Sequence, residues 1–242
     1  MKAIISFSFI LVLVMNFVQA QDPQSIRIPL IGEPAPKFTA ESTQGTITFP
    51  DDNNSKWTIL FSHPADFTAV CSSEILELAA LQDDFDKLNT RLMVISTDAV
   101  SSHIAWVKSL ESIKYKDREP VKIKFPLISD KTMDISKKYG MLHSYSSTTK
   151  DVRGVFIIDP EDKIEAVFFY PMNVGRNIDE VKRTLMALQL AQKEEVLIPA
   201  NWMPGQDVML PSPKTSTDAE KLQQKNDPKL YSFSWYMWFI KQ

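Results

Sequence analysis

The sequence predicts an α/β fold built on a mixed β-sheet, and three features predict it. Short apolar runs at Trp57-Thr58-Ile59-Leu60-Phe61 and Arg91-Leu92-Met93-Val94-Ile95-Ser96-Thr97 alternate with amphipathic stretches of helical period. Val152 to Asp159 and Lys163 to Tyr170 are two further apolar runs, separated only by Pro160-Glu161-Asp162, which by length and turn chemistry makes a hairpin. Asn177 to Glu194 closes the pattern as an amphipathic helix, with Ile178, Val181, Leu185, Leu188 and Leu190 near one face. Strand–helix–strand–helix followed by a hairpin and a helix combines parallel with antiparallel pairing.

The chain begins Met1-Lys2, continues through an apolar stretch to Val18, and then reads Gln19-Ala20-Gln21-Asp22-Pro23. A basic start, an apolar middle and a small residue before a polar, proline-marked segment describe a secretory signal peptide over residues 1–20, cut after Ala20. A retained anchor is the competing reading, but a span needs about 20 apolar residues, and Ser6, Ser8 and Asn16 interrupt this run. Export to a periplasm or out of the cell is therefore expected, with no stable membrane span after cleavage. An oxidising destination lacks the cytosolic thiol pool, which matters for any redox role.

The mature chain divides into a main domain at 21–195 and a small C-terminal domain at 196–242. Its prolines and glycine between Ile26 and Pro50 suggest an N-terminal extension lying on the core, with Thr46-Ile47-Thr48-Phe49 as an edge strand or hairpin arm. Asp51 to Ser55 is a turn. After the first strand, Ile75, Leu78, Gln82, Phe85 and Leu88 keep a helical rhythm. After the second, Ser101 or Ser102 is expected to cap a helix whose apolar face carries Ile104, Val107 and Leu110. Lys114 to Lys124 is a charged, solvated connector. Phe125 to Asp130 reads as a short strand, and Lys131 to Tyr139 as a short helix that Gly140 can close with a positive φ. Beyond Val196, prolines at 199, 204, 211, 213 and 228 interrupt regular structure. The aromatic tail Tyr231 to Ile240 is too short to span a bilayer and reads as a strand pair covering the core or a second subunit.

Composition narrows the function. With 27 basic and 30 acidic residues the net charge is −3, so nothing suggests a nucleic-acid partner. The single cysteine excludes an intrachain disulfide, a Cys-x-x-Cys pair and a multi-cysteine zinc site. No metal and no cofactor are expected. A lone cysteine is most often a small buried hydrophobe. Cys71, however, follows a strand and falls at or near the first turn of a helix, where unpaired N–H groups and the dipole favour an anion.

Pro64, Thr68 and Cys71, spaced P-x-x-x-T-x-x-C and preceded by Ser62-His63, resemble the active-site signature of the peroxiredoxins, and His-Pro-x-Asp-Phe-Thr resembles the one-cysteine subfamily. Arg153-Gly-Val-Phe-Ile-Ile-Asp159, Tyr170-Pro171 and Gly175-Arg176-Asn177 recur in the order that subfamily would give them. The resemblance runs from about Ile28 to the C-terminus. It implies a thioredoxin-like core with a small C-terminal peroxiredoxin domain that helps form a homodimer or higher homo-oligomer. It also implies reduction of hydrogen peroxide and organic hydroperoxides.

That chemistry needs a thiolate attacking one oxygen in line, and fixed donors for the charge that moves onto the other. Cys71 is the expected nucleophile. Thr68, three residues earlier, could turn its hydroxyl to the sulfur or the incoming oxygen, and Pro64, with no N–H, would wall the pocket. By resemblance Arg153 stands beside the sulfur, Glu74 orients it, Arg176 adds a second positive group, and His63 and Val70 support the site. With no second cysteine, the sulfenic acid must return to thiol through an external thiol reductant. Two positions depart from the usual pattern: Ala69 stands where the family usually has proline, and Ser72-Ser73 where it usually has two threonines. Asn53-Asn54-Ser55-Lys56-Trp57 stands where some mammalian members carry a lipase-like Gly-Asp-Ser-Trp, and no phospholipase activity is expected from Ser55. Two rivals are a cysteine hydrolase using His63, His103 or His143 as base, and a holdase or binding protein in which Cys71 is incidental.

Overall fold

A computed structural model describes residues 27–51 and 55–242. The expected signal peptide and the middle of the 51–55 turn lie outside these residues. The main sheet has seven strands in the order β2-β1-β5-β4-β3-β6-β7. They are β1 (Phe38–Ser42), β2 (Gly45–Phe49), β3 (Trp57–Ser62), β4 (Thr90–Ser96), β5 (Leu127–Ser129), β6 (Arg153–Ile158) and β7 (Ile164–Tyr170). β3, β4 and β5 run parallel, whereas β6 pairs antiparallel with β3 and β7 antiparallel with β6. The mixed sheet and the 160–162 hairpin are thus as the sequence predicts, and Thr46 to Phe49 lies in the hairpin arm β2 at the sheet edge.

Alternation along the central strands builds two cores. Trp57, Ile59 and Phe61 of β3, Leu92 and Val94 of β4, and Val155 and Ile157 of β6 face α1 (Ala69–Lys87), α2 (Val100–Leu110) and α4 (Ile178–Glu194). Leu60, Met93, Ile95, Phe156 and Ile158 point the other way, onto Phe38, Phe49 and α3 (Asp134–Lys138) with Tyr139. A central strand covered on both faces must be apolar throughout, which is why all of β3 is buried. Gly140 ends α3 at φ 63°, and a Cβ there would lie 2.8 Å from Ile28, so both the conformation and the packing require glycine.

Three details differ from the sequence expectation. The cap of α2 is Ala99, with Ser101 and Ser102 already inside the first turn. Its buried face carries His103, Trp106 and Leu110, leaving Ile104 exposed, because His103 finds a buried carboxylate and Trp106 Nε1 donates to Ser72 Oγ at 3.3 Å. Leu190 leaves the main core and joins Met186 against a third cluster of Ala187, Val196, Trp202 and Val208. That cluster sits under a small sheet, β8-β10-β9, formed by β8 (Val208–Met209), β9 (Leu230–Ser234) and β10 (Met237–Ile240), with α5 (Ser216–Gln224) between β8 and β9. The aromatic tail is the expected strand pair. Among the described residues no helix is long and apolar enough to cross a membrane.

Candidate active site

The site lies where β3 ends and α1 begins, at the carboxyl end of the parallel strands, where open α/β sheets collect function. Thr68 is the N-cap of α1 with extended backbone, so Cys71 is the third helical residue. From there its side chain enters the space between α1, β3 and β6, and it is 0% exposed. Its sulfur accepts a hydrogen bond of 3.3 Å from Nη1 of Arg153, the first residue of β6.

Arg153 is fixed on every side. Nε and Nη2 donate to the Met172 carbonyl at 3.1 and 2.6 Å, and Nη1 also donates to Glu74 Oε2 at 2.7 Å. Glu74, one turn after Cys71, shares its carboxylate with Arg176, which donates through its backbone N–H, Nε and Nη2 at 2.9, 2.8 and 2.7 Å. Arg176 Nη1 completes the frame by donating to the Ser62 and Gly154 carbonyls, and its guanidinium lies 3.4 Å from the Phe61 ring centre. Burial pulls the Arg176 pKa below its ordinary value while Glu74 pulls it back. Ser62 Oγ donates to the Val152 carbonyl and accepts from the Gly154 N–H, which pins the start of β6 to the end of β3. A Cβ on Gly154 would lie 3.0 Å from that oxygen.

The structure therefore brings Cys71, Arg153, Glu74 and Arg176 into one buried group. Of the other expected residues, only Thr68 turns away from the sulfur. Thr68 is exposed, and its hydroxyl donates to the Ala65 carbonyl at 2.9 Å instead of reaching the sulfur. Pro64 is buried in the loop between β3 and α1, and Val70 is half-buried beside Gly175. His63 is buried and stacks against Trp106 with ring centres 5.0 Å apart. Burial first, and then the charges of His103 and Arg176, push the His63 pKa down to about 3, so its ring is neutral. The sulfur itself has no exposed surface in this conformation.

Sequence reasoning missed the pairing of Asp66 with His103. His103 Nδ1 lies 2.9 and 3.0 Å from the two Asp66 carboxylate oxygens, and the Asp66 N–H donates to Asp98 at 2.8 Å. Between them they hold a loop in which Phe67 takes φ 55°, a conformation that an aromatic residue keeps only when its surroundings impose it. The signal was present as spacing: 103, 106 and 110 lie on one helical face as well as 104 and 107 do, and a histidine on the buried face needs a partner. Among the described residues no imidazole hydrogen-bonds the sulfur, so the hydrolase reading lacks its base; His143 lies against Phe169.

A thioredoxin-like sheet carrying one thiol, held by a buried arginine at a helix start, defines a thiol-dependent peroxidase. Comparison with known proteins agrees. The AhpC/TSA family matches residues 31–167, and the C-terminal domain of 1-Cys peroxiredoxin matches residues 187–226, beginning inside α4. A peroxiredoxin of Methanosarcina mazei is 49% identical over 211 residues, covering 87% of this chain and 96% of the relative. One from Aquifex aeolicus is 42% identical, covering 83% and 92%. The structure of a yeast mitochondrial 1-Cys peroxiredoxin superposes with a TM-score of 0.77 at 36% identity, covering 89% of this chain and all of that one. A cysteine-to-serine form of peroxiredoxin 6 from Arenicola marina gives 0.77 at 31% identity, covering 88% and 98%. The chain belongs to the AhpC/TSA family of peroxiredoxins, in its one-cysteine branch.

Proposed function

We propose that the chain reduces hydrogen peroxide and organic hydroperoxides through Cys71, is returned to thiol by an external thiol reductant, and works as an exported homodimer. The hydrogen bond from Arg153 Nη1 to the sulfur carries this reading. The Cys71 thiolate attacks one peroxide oxygen, an S–O bond forms as the O–O bond breaks, and hydroxide or alkoxide leaves and takes up a proton as water or alcohol. Arg153 supplies a fixed, always-charged donor to that centre, and Glu74 keeps it aimed there. Cys71 is left as sulfenic acid. A first external thiol condenses with it, releasing water and forming a mixed disulfide, and a second thiol displaces Cys71. The similar yeast protein, whose thiol is resolved via glutathione/thioredoxin systems, supports an external donor.

Export rests on the N-terminal sequence pattern. The dimer is supported by exposed Phe233, Trp235 and Tyr236 on the β9–β10 sheet, more aromatic surface than a free chain commonly shows. The same patch favours a second reading, a holdase, which would survive Cys71→Ser. One equivalent of hydrogen peroxide followed by intact-mass analysis tests the main reading. We expect prompt gain of one oxygen by the parent, none in Cys71→Ser, and gain slowed by roughly a hundredfold or more in Arg153→Met. An unmodified parent thiol with peroxide left unconsumed would overturn it.

A further inference from the structure

Beside the peroxidatic group lies a second cluster that the reaction does not use. His63, Asp66 and His103 are all buried, and their candidate donor atoms lie within 4.8 Å of one another. His103 Nε2 is 3.1 Å from the Ile128 carbonyl, which can only accept, so that nitrogen carries the ring proton. Nδ1 then turns a lone pair towards both oxygens of Asp66, at 3.0 and 2.9 Å. Acceptor facing acceptor at that range needs a proton between them, carried by the ring or by the carboxyl, or a metal ion. His63 distinguishes the two. Neither of its buried ring nitrogens makes a hydrogen bond of good geometry, the Ala65 backbone giving only a weak polar contact, and Nε2 stands 3.7 Å from Asp66 Oδ1, too far for a hydrogen bond. A proton between His103 and Asp66 leaves the His63 ring poorly satisfied, which is unfavourable for a buried polar group. A metal at Nε2 gives one of its two nitrogens a partner.

We infer that His63, Asp66 and His103 form a site for a divalent transition ion of the zinc type. Zinc takes imidazole and carboxylate donors at about 2.0–2.2 Å, which in a tetrahedral shell puts the donors roughly 3.3–3.5 Å apart. Asp66 lies 2.9 and 3.0 Å from His103 Nδ1 and 3.7 Å from His63 Nε2, and the three donor groups fall within 4.8 Å of one another, so they would draw together on an ion. The donor set is His Nε2, His Nδ1 and one carboxylate, monodentate with a fourth position open or bidentate with it filled. The Ile128 carbonyl orients the second imidazole, as outer partners of metal-bound histidines do. Zinc carries no redox chemistry, which suits a site next to a peroxide-consuming thiol. The ion would tie the 63–66 loop to α2 and hold the wall from which α1 starts.

The test is titration of the chelator-treated, full-length chain with Zn2+, and with Co2+ as a visible-absorbing probe. We expect one ion per chain, a tetrahedral nitrogen and oxygen spectrum without a thiolate band, and unchanged binding in Cys71→Ser. His103→Gln and Asp66→Asn should weaken binding by more than about a hundredfold, the upper range for loss of an outer partner. Should either fail to fold by circular dichroism, His63→Phe keeps an aromatic ring against Trp106 and should weaken binding at least about tenfold. The inference is overturned by a folded parent that takes up no ion at micromolar Zn2+, by binding that survives the histidine variants, or by binding lost with Cys71.

Discussion

Glu74 is the residue whose removal should do most harm, because one carboxylate pairs with two buried guanidinium groups. Breaking a buried ion pair from one side typically costs about 3–5 kcal/mol. Glu74→Gln should show a loss of that size in urea unfolding, together with slower peroxide consumption as Arg153 loses its anchor. Asp151 gives a pH signature of its own. It is buried with neither carboxylate oxygen in a well-formed hydrogen bond, and burial, offset in part by Ser136 and reinforced by Asp130 and Asp98, raises its pKa from 3.8 to about 7. Between those two values the folded chain holds a proton that the unfolded chain has released, so stability falls as pH rises through that window. The full loss is on the order of 4 kcal/mol. Asp151→Asn should unfold at nearly the same urea concentration as the parent near about pH 4 and at a higher one near about pH 8; equal midpoints at both would remove Asp151 from the account. Neither residue's energetics could be read from the sequence. A glutamate three positions after a cysteine becomes a bridge only when strands and loops eighty to a hundred residues away arrive beside it.

At the scale of elements, the departure at Ala69 turns out to be mild. Ala69 is the first residue of α1, the position that best accepts proline, and Thr68 before it is already extended at φ −106° and ψ 147°, as a residue preceding proline must be. Ala69→Pro should therefore fold normally and gain roughly 0.4–1 kcal/mol, seen as a higher melting temperature. A lower one would mean that the first turn of α1 depends on the Ala69 N–H. Periodicity made β3, β4, the 160–162 hairpin, α1 and α4 legible, because each buries a stripe or a face with a clear repeat. It failed on α2, where two overlapping faces both satisfy the spacing. The apolar content favours Ile104, yet a buried histidine and tryptophan with partners on other elements decide the rotation. The cysteine and the Arg153 strand were legible through their motifs. The outward turn of Thr68 was not, since a hydroxyl at a helix start has several nearby carbonyls to choose from.

For the whole molecule, the small C-terminal sheet leaves Phe233 at 74% and Trp235 at 56% exposure, while Tyr231 and Phe239 stack beneath with ring centres 5.2 Å apart. On the proposal that this face makes a homodimer, the parent should sediment as a dimer and a Phe233→Ser, Trp235→Ser double variant as a monomer at the same concentration; a monomeric parent would overturn the dimer, and identical dimer profiles would place the contact elsewhere. A sulfur with no exposed surface also imposes a schedule on turnover. A small oxidant needs only a brief gap to reach it, but a reductant carrying its thiol on a peptide or protein body cannot follow through the same opening. On the proposed cycle, repair would wait until the first turn of α1 comes loose, and during that wait a second oxidant molecule would be able to push the sulfenic acid on to sulfinic acid, which thiols do not reverse. The tightness of one helical turn would thus act as a fuse, setting how much oxidant the protein survives before it burns out.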